Sequence, residues 1–128
     1  MNLAETYEAY IACLNDRDLN QLGRYVAETV VHNGVALGLS GYRDMLVGNY
    51  RDIPDLHFHI DLLLVEGASV ASRLRFDCHP EGTFLGVAVD GGRVVFHEHV
   101  FYRFAGGKIE EVWSVIDKAA LESQLPRN

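Results

Sequence analysis

Hydrophobic and polar positions along this chain change period once, near Leu56, and the change separates a helical part from a sheet part. Leu3, Tyr7, Tyr10, Ile11 and Leu14 recur at helical spacing and predict an amphipathic helix over residues 3–14, broken at Asn15 and Asp16. Asp18 is placed to cap a second helix through Val26, with Leu19, Leu22, Tyr25 and Val26 on one side. Glu28 to Asn33 is β-branched in its middle and ends in Gly34, which predicts a short strand. From Ser40, the spacing of Tyr42, Met45, Leu46 and Tyr50 gives a third helix that stops before Pro54. Beyond Leu56 the period is two: Leu56, Phe58, Ile60, Leu62 and Leu64 alternate with His57, His59, Asp61, Leu63 and Val65 as a long strand. Glu66 to Ser69 turns the chain, and residues 70–79 return with Arg73, Arg75, Asp77 and His79 on one face and Val70, Leu74, Phe76 and Cys78 on the other. Pro80 to Gly92 reads as an irregular connection, and Lys118 to Leu125 as a closing helix stopped by Pro126. Three helices therefore precede most of the sheet. The expected class is α+β, with the helices packed on one face of a curved antiparallel sheet.

Arg93 to Asp117 predicts two long strands joined at Gly106-Gly107, the glycines supplying the positive φ of a two-residue hairpin turn. A regular ladder from that turn sets Phe104 opposite Ile109, Tyr102 opposite Glu111, Val100 opposite Trp113, Glu98 opposite Val115 and Phe96 opposite Asp117. One face is then apolar with the carboxylates of Glu98, Glu111 and Asp117 set into it. The other face carries His97, His99, Phe101, Arg103, Glu110, Val112, Ser114 and Ile116, half apolar as an interface would be.

The length of 128 residues suits one domain over residues 1–128, large enough for a core with a cavity. A net charge of −7 with 11 unclustered basic residues argues against a nucleic-acid partner. Cys13 and Cys78 have no metal or disulfide spacing, and no apolar run approaches the length of a membrane span. The expectation is a soluble, untargeted protein in the reducing cytoplasm. His57-x-His59 and His97-x-His99 each set two imidazoles on one strand face, but the further ligands of a cupin-type metal motif are missing, and no metal site is expected.

RFAGGKIEEVWSVID followed by KAALESQL, with FLGVAVDGGRVVF ahead of the penultimate strand, resembles the closing signature of the SnoaL-like polyketide cyclases and the related predicted ester cyclases, in the nuclear-transport-factor-2-like superfamily. The likeness is motif-specific from Phe84 to Leu125 and extends in layout to the whole chain. It implies a cone-shaped α+β barrel whose concave sheet face and helices enclose a small-molecule pocket, commonly in a homodimer packed through the outer sheet face. It also implies acid/base chemistry with no metal and no cofactor, Asp117 matching the aspartate that closes the last strand as general acid/base for ring closure. Arg75 and Asp77, with Asp117, resemble the arginine and aspartates of limonene-epoxide-hydrolase-like members. Asn33 matches in layout the basic aspartate of ketosteroid isomerases, and as an amide it orients substrate or water but is no base.

Glu98 and Asp117 on one apolar face would repel, and desolvation would raise at least one of their pKa values toward neutrality. The competing reading has Glu98 at a wet rim and Asp117 capping the closing helix. Trp113, Phe96, Tyr10 and Tyr102 are expected to line the pocket, with Asn33 as a polar substrate contact and Arg75 and Asp77 as further ones if their strand face, which the pattern leaves undecided, points inward. Two functions stay open: a cofactor-free enzyme acting on a small, mostly apolar carbonyl or epoxide substrate, and a noncatalytic small-molecule binder.

Overall fold

The computed structural model describes residues 2–124, so Leu125 and Pro126, the expected end of the closing helix, lie outside the described residues. Helix α1 (Leu3–Asp16) starts where the Asn2 side chain accepts from the Glu5 amide, and it buries Tyr7, Tyr10, Ile11, Cys13 and Leu14. These positions form one helical stripe. The second helix expected from Asp18 is a tight helix over Leu19–Arg24 with no side-chain cap. Its continuation is taken by the sheet: the Tyr25 carbonyl accepts from the Ile109 amide at 2.7 Å, and β1 runs over Val26–His32. Asn33 and Gly34, both at positive φ (47° and 79°), form the two-residue turn into β2 (Val35–Ala36). Helix α2 (Gly38–Asp52) buries Tyr42 and Leu46.

Six strands form the main sheet in the order β2-β1-β8-β7-β4-β3, with β3 (His59–Glu66), β4 (Ser69–Cys78), β7 (Val94–Ala105) and β8 (Lys108–Ile116). The architecture is the expected cone-shaped α+β fold, but the sheet is mixed, because β1 runs parallel to β8. The Pro80 to Gly92 connection contains its own small hairpin, β5 (Thr83–Phe84) with β6 (Val87–Ala88), paired separately from the main sheet. Helix α3 (Lys118–Ser123) closes the described chain. No helix among the described residues is long and apolar enough to cross a membrane.

Two bulges change which side chains face the core. In β3 the register against β4 shifts between Ile60 and Leu62, so Leu63 pairs with inward Ser72 while Leu62 and Leu64 pair with outward Arg73 and Ala71. Leu62 and Leu64, placed by strict alternation on one face with Phe58 and Ile60, are therefore exposed. In the β7/β8 hairpin, Phe104 pairs with Ile109 as expected, but Arg103 pairs with Glu111, leaving Glu110 as an extra residue on β8. One extra residue sends every later side chain of a strand to the opposite face. Phe101 now opposes Trp113, Val100 opposes Ser114 and Glu98 opposes Ile116. Trp113 and Val115 point outward beside Phe101, at 42 %, 69 % and 58 % exposure, whereas Val112 is buried. Val112, Ser114 and Ile116, expected on the outer face, belong to the inner one.

The physical reason lies in the doublet Glu110-Glu111. A regular ladder would turn the Glu111 carboxylate inward among buried aromatic rings, where an unpaired charge is costly. The bulge keeps both carboxylates outside and within reach of one guanidinium: Arg103 donates to Glu110 at 2.9 Å and to Glu111 at 3.3 Å.

Asn15 joins the helical layer to the sheet, its side chain donating to the Phe58 carbonyl at 2.9 Å and accepting from the Phe58 amide at 2.7 Å. Asn15→Ala leaves both backbone groups unpaired, and a loss of about 2 kcal/mol in urea unfolding is expected. An unchanged denaturation midpoint would show that this tether carries no stability.

Candidate functional site

A cavity of about 420 Å³ opens between the inner sheet face and helices α1 and α2. Its sheet wall is built from β7 (Glu98, Val100, Tyr102) and β8 (Val112, Ser114, Ile116), with Leu74 from β4. The helices contribute Tyr10 and Leu14 from one side and Tyr42, Met45, Leu46 and Asn49 from the other. His32 and Asn33 close the β1 end, Lys118 stands at the start of α3, and Leu85 reaches in from the β5/β6 hairpin.

Glu98 is the carboxylate on this wall. It is half-buried, between Leu74 on β4 and Ile116 on β8. Burial pushes its pKa up from the ordinary glutamate value, and a hydrogen bond from the Ser114 hydroxyl to Oε2 opposes part of that rise by favouring the charged form. Ser114 is itself held by Asn33: its amide donates to the Asn33 Oδ1 at 2.8 Å, and Asn33 Nδ2 donates to its carbonyl at 3.2 Å. The Asn33 amide also donates to the Val112 carbonyl at 2.9 Å, which prolongs the parallel β1/β8 ladder into the turn. Asn33 therefore fixes Ser114, and Ser114 fixes one oxygen of Glu98.

Four tyrosines back this site. The Tyr10 and Tyr42 hydroxyls are 2.7 Å apart, and those of Tyr7 and Tyr102 are 3.1 Å apart. Burial raises the pKa of all four, Tyr7 to about 12, so each remains a neutral phenol. In the Tyr10/Tyr42 pair one proton serves the mutual bond, which leaves the other free to donate into the cavity. The His32 ring meets the Tyr42 ring edge-on at 6.2 Å, and burial lowers its pKa, favouring neutral imidazole.

Of the residues expected at the site, Glu98, Tyr10, Tyr102 and Asn33 line the cavity. Phe96 lies beside it, in a smaller adjoining recess that Glu98 also borders. Asp117 stands elsewhere: it is exposed, and its side chain caps α3 by accepting from the Ala120 amide at 3.0 Å. The expectation that Asp117 sits on the pocket wall as a partner to Glu98 is corrected by the β8 bulge, which turns odd-numbered positions outward. Trp113 leaves the pocket for the same reason. Arg75 and Asp77 occupy the outer face of β4 and are ion-paired there, Arg75 with Asp61 at 3.3 Å and Asp77 with Arg93 through two bonds of 2.8 Å. The arginine and aspartate expected around an epoxide are thus not at the cavity. His97 also bonds Asp61, at 3.0 Å, and Arg73 bonds His99 at 3.2 Å on that face. Among the described residues no three His, Cys, Asp or Glu side chains are grouped to hold a metal ion.

Ser114, His32, Asn49, Lys118 and Leu85 are cavity residues that sequence reasoning did not select. His32 was detectable, since it shares the inward face of β1 with buried Val30. Ser114 was hidden by the bulge.

The profile of the SnoaL-like polyketide cyclase family matches residues 4–125. A SnoaL-like polyketide cyclase from Agrobacterium tumefaciens is 48% identical, with a TM-score of 0.97 over 98% of this chain and 99% of that one. AclR, a candidate hydroxylase from Streptomyces galilaeus, is 26% identical with a TM-score of 0.76 over 98% of this chain and 100% of its own. IdmH, a candidate polyketide cyclase from Streptomyces antibioticus, shares the fold at 19% identity, with a TM-score of 0.84 over 97% and 98% of the two chains. No curated protein matches.

The raised pKa of Glu98 fixes a pH dependence. Below the ordinary glutamate pKa both folded and unfolded chains hold the proton, and the contribution of Glu98 to stability is fully present. As pH rises toward the higher folded value the unfolded chain ionises first, and that contribution is lost. Glu98→Gln is therefore expected to gain stability relative to wild type as pH rises from about 4, in paired urea titrations. Ser114→Ala should raise the Glu98 pKa further, read by carboxyl NMR. A downward shift would mean that the hydroxyl does not support the charged form.

Proposed function

The chain belongs to the SnoaL-like polyketide cyclase family, and from that premise we propose that its cavity binds a small, mostly apolar carbonyl compound on which Glu98 acts as general acid/base, without a cofactor, in a cyclisation or isomerisation. The observation that carries this reading is the half-buried Glu98 carboxyl, raised in pKa and held at one oxygen by Ser114 inside an otherwise largely apolar chamber. A carboxylate made more basic by desolvation is suited to removing a proton next to a carbonyl.

In the proposed step, Glu98 takes a proton from the carbon beside the carbonyl. The C–H electron pair becomes the enolate double bond, and the carbonyl π pair moves to oxygen. The free hydroxyl proton of the Tyr10/Tyr42 pair, or the neutral His32 ring, donates to that oxygen as its charge grows. The enolate then either attacks a second carbonyl of the same molecule through its carbon, the Glu98 proton passing to the new alkoxide, or, where a carbon–carbon double bond is conjugated with it, takes the Glu98 proton back at the far carbon of the dienolate. The first outcome closes a ring and the second isomerises the substrate. Asn33 acts through Ser114 as a positioning residue. An epoxide substrate loses support, because Arg75 and Asp77 face away from the chamber.

The outer face supports a second proposal, association with another copy of this chain. Phe101, Trp113 and Val115 are exposed side by side across β7 and β8, with Leu62 and Leu64 exposed on β3. A contiguous apolar face of this kind is seldom left in water, and a twofold dimer covers it with its own equivalent.

With a substrate in hand, Glu98→Gln is expected to lower kcat by about a hundredfold or more, while Asp117→Asn, which keeps a capping side chain, stays within a few-fold of wild type. The reverse ranking would return the catalytic role to Asp117, and equal activity of all three proteins would take the acid/base role away from both carboxylates. For the assembly, light scattering at micromolar concentration should give a dimer mass for wild type and a monomer mass for Trp113→Glu. A monomeric wild type would rule the dimer out.

A further inference from the structure

The chamber is flanked by a second, smaller space that shares part of its wall. A recess of about 70 Å³ shares Asn49, Phe58, Glu98 and Ile116 with the chamber, so Glu98 stands at the junction of the two. Beyond that junction the recess is lined by Ile53, Leu56, Phe76, Phe84 and Phe96, all apolar. The rings interlock: Phe76 stacks on Phe96 at 5.2 Å between centroids, and Phe84 leans on Phe96 at 5.4 Å. Away from Asn49 and Glu98 the walls offer water no polar partner, and such a surface favours apolar guests. Its volume is about half of the ~150 Å³ that takes a benzene ring, which admits a short chain and refuses a ring.

We propose that this recess is a specificity subsite for a short unbranched alkyl substituent, two to four carbons long by this volume comparison, carried within a few bonds of the carbon that Glu98 deprotonates. The subsite rests on the carbonyl chemistry proposed above and adds to it the shape of the substrate: a bulky part in the chamber, a reacting carbon at the junction and a tail in the recess. Phe84 is the gauge. It is half-buried, it comes from the β5/β6 hairpin and not from the main sheet, and its ring forms one side of the recess. The neighbouring hairpin residue, Leu85, lines the chamber, so one turn roofs both spaces.

The test is calorimetric titration of a homologous series of naphthyl alkyl ketones, methyl through hexyl, into the intact protein. Affinity is expected to rise about fourfold for each added methylene, the value of one buried methylene, until the recess is full, and then to fall. Phe84→Trp should move the optimum to a shorter tail and Phe84→Ala to a longer one, whereas Leu85→Ala should weaken all ketones alike and leave the optimum in place. Circular dichroism confirms that each variant folds. Ketones that bind with no optimum in tail length, or an optimum that ignores both Phe84 variants, overturn the subsite and leave the carbonyl reading standing. Failure of every ketone to bind overturns both. A kcat loss in Glu98→Gln tests the acid/base role separately.

Discussion

One extra residue in β8 governs the direction of every functional side chain that follows it. Glu110 is accommodated between Ile109, which stays opposite Phe104, and Glu111, which moves opposite Arg103. The Arg103 fork holds both glutamates outside the core. From that point Val112, Ser114 and Ile116 face inward, and Trp113 and Val115 face outward. The ion pairs themselves are exposed and contribute little to stability. Their larger consequence is register: with the carboxylates kept in water, Ser114 is the residue that meets Glu98, and an aromatic and a valine are left on the outer face. Site and association surface are two sides of one slip.

Glu98 shows how a carboxyl is kept half-buried without a cationic partner. One oxygen receives the Ser114 hydroxyl, and the groups nearest the rest of the chamber are phenols that burial keeps neutral, so no like charge adds to the penalty of ionisation. The supporting chain is backbone-anchored. Asn33 can clamp both backbone groups of Ser114 because it occupies a left-handed turn position, one that asparagine tolerates better than most residues. Asp117 holds the far end in a different way. Its side chain caps α3 and its amide donates to the His97 carbonyl at 3.0 Å. From α3, Gln124 then bonds both backbone groups of Val95. The aspartate thus packs a helix against β7 on the strand that bears Glu98.

Much of the fold was legible because it rests on periodicity. The stripe of α1 and the glycine turn of the β7/β8 hairpin both follow from spacing that only one arrangement satisfies. The site was less legible because Val112-Trp113-Ser114-Val115-Ile116 is apolar on either face, so a binary pattern accepts both registers. What distinguished them was charge: a regular ladder buries Glu111, and the Glu110-Glu111 doublet facing Arg103 was the available sign of a bulge. In β3 the same ambiguity hid in Leu62-Leu63-Leu64. There Asp61, bonded to Arg75 and His97, marks the shift. Arg75 and Asp77 were correctly placed together on one face, and the burial of Val70, Leu74, Phe76 and Cys78 opposite them, with the ion pairs to Asp61 and Arg93, makes this face the outer one.

The roof of the site is built differently from its walls. β5 and β6 pair only with each other, and the turn between Phe84 and Val87 holds Leu85 at a φ of 53°. A left-handed residue with a bulky side chain costs about 1–2 kcal/mol relative to glycine, and Leu85 remains 38 % exposed. What the conformation achieves is placement, with Leu85 over the chamber and Phe84 over the recess. The hairpin is tied down by its own loop, where Val89 and Asp90 amides donate to the Gly82 carbonyl and the Glu81 amide donates to Asp52 at the end of α2. None of these bonds belongs to a ladder of the main sheet. Elements with so few shared hydrogen bonds open at lower free energy than core strands. The roof is therefore fixed independently of the Asn33–Ser114–Glu98 chain, which is anchored in β1, β8 and β7.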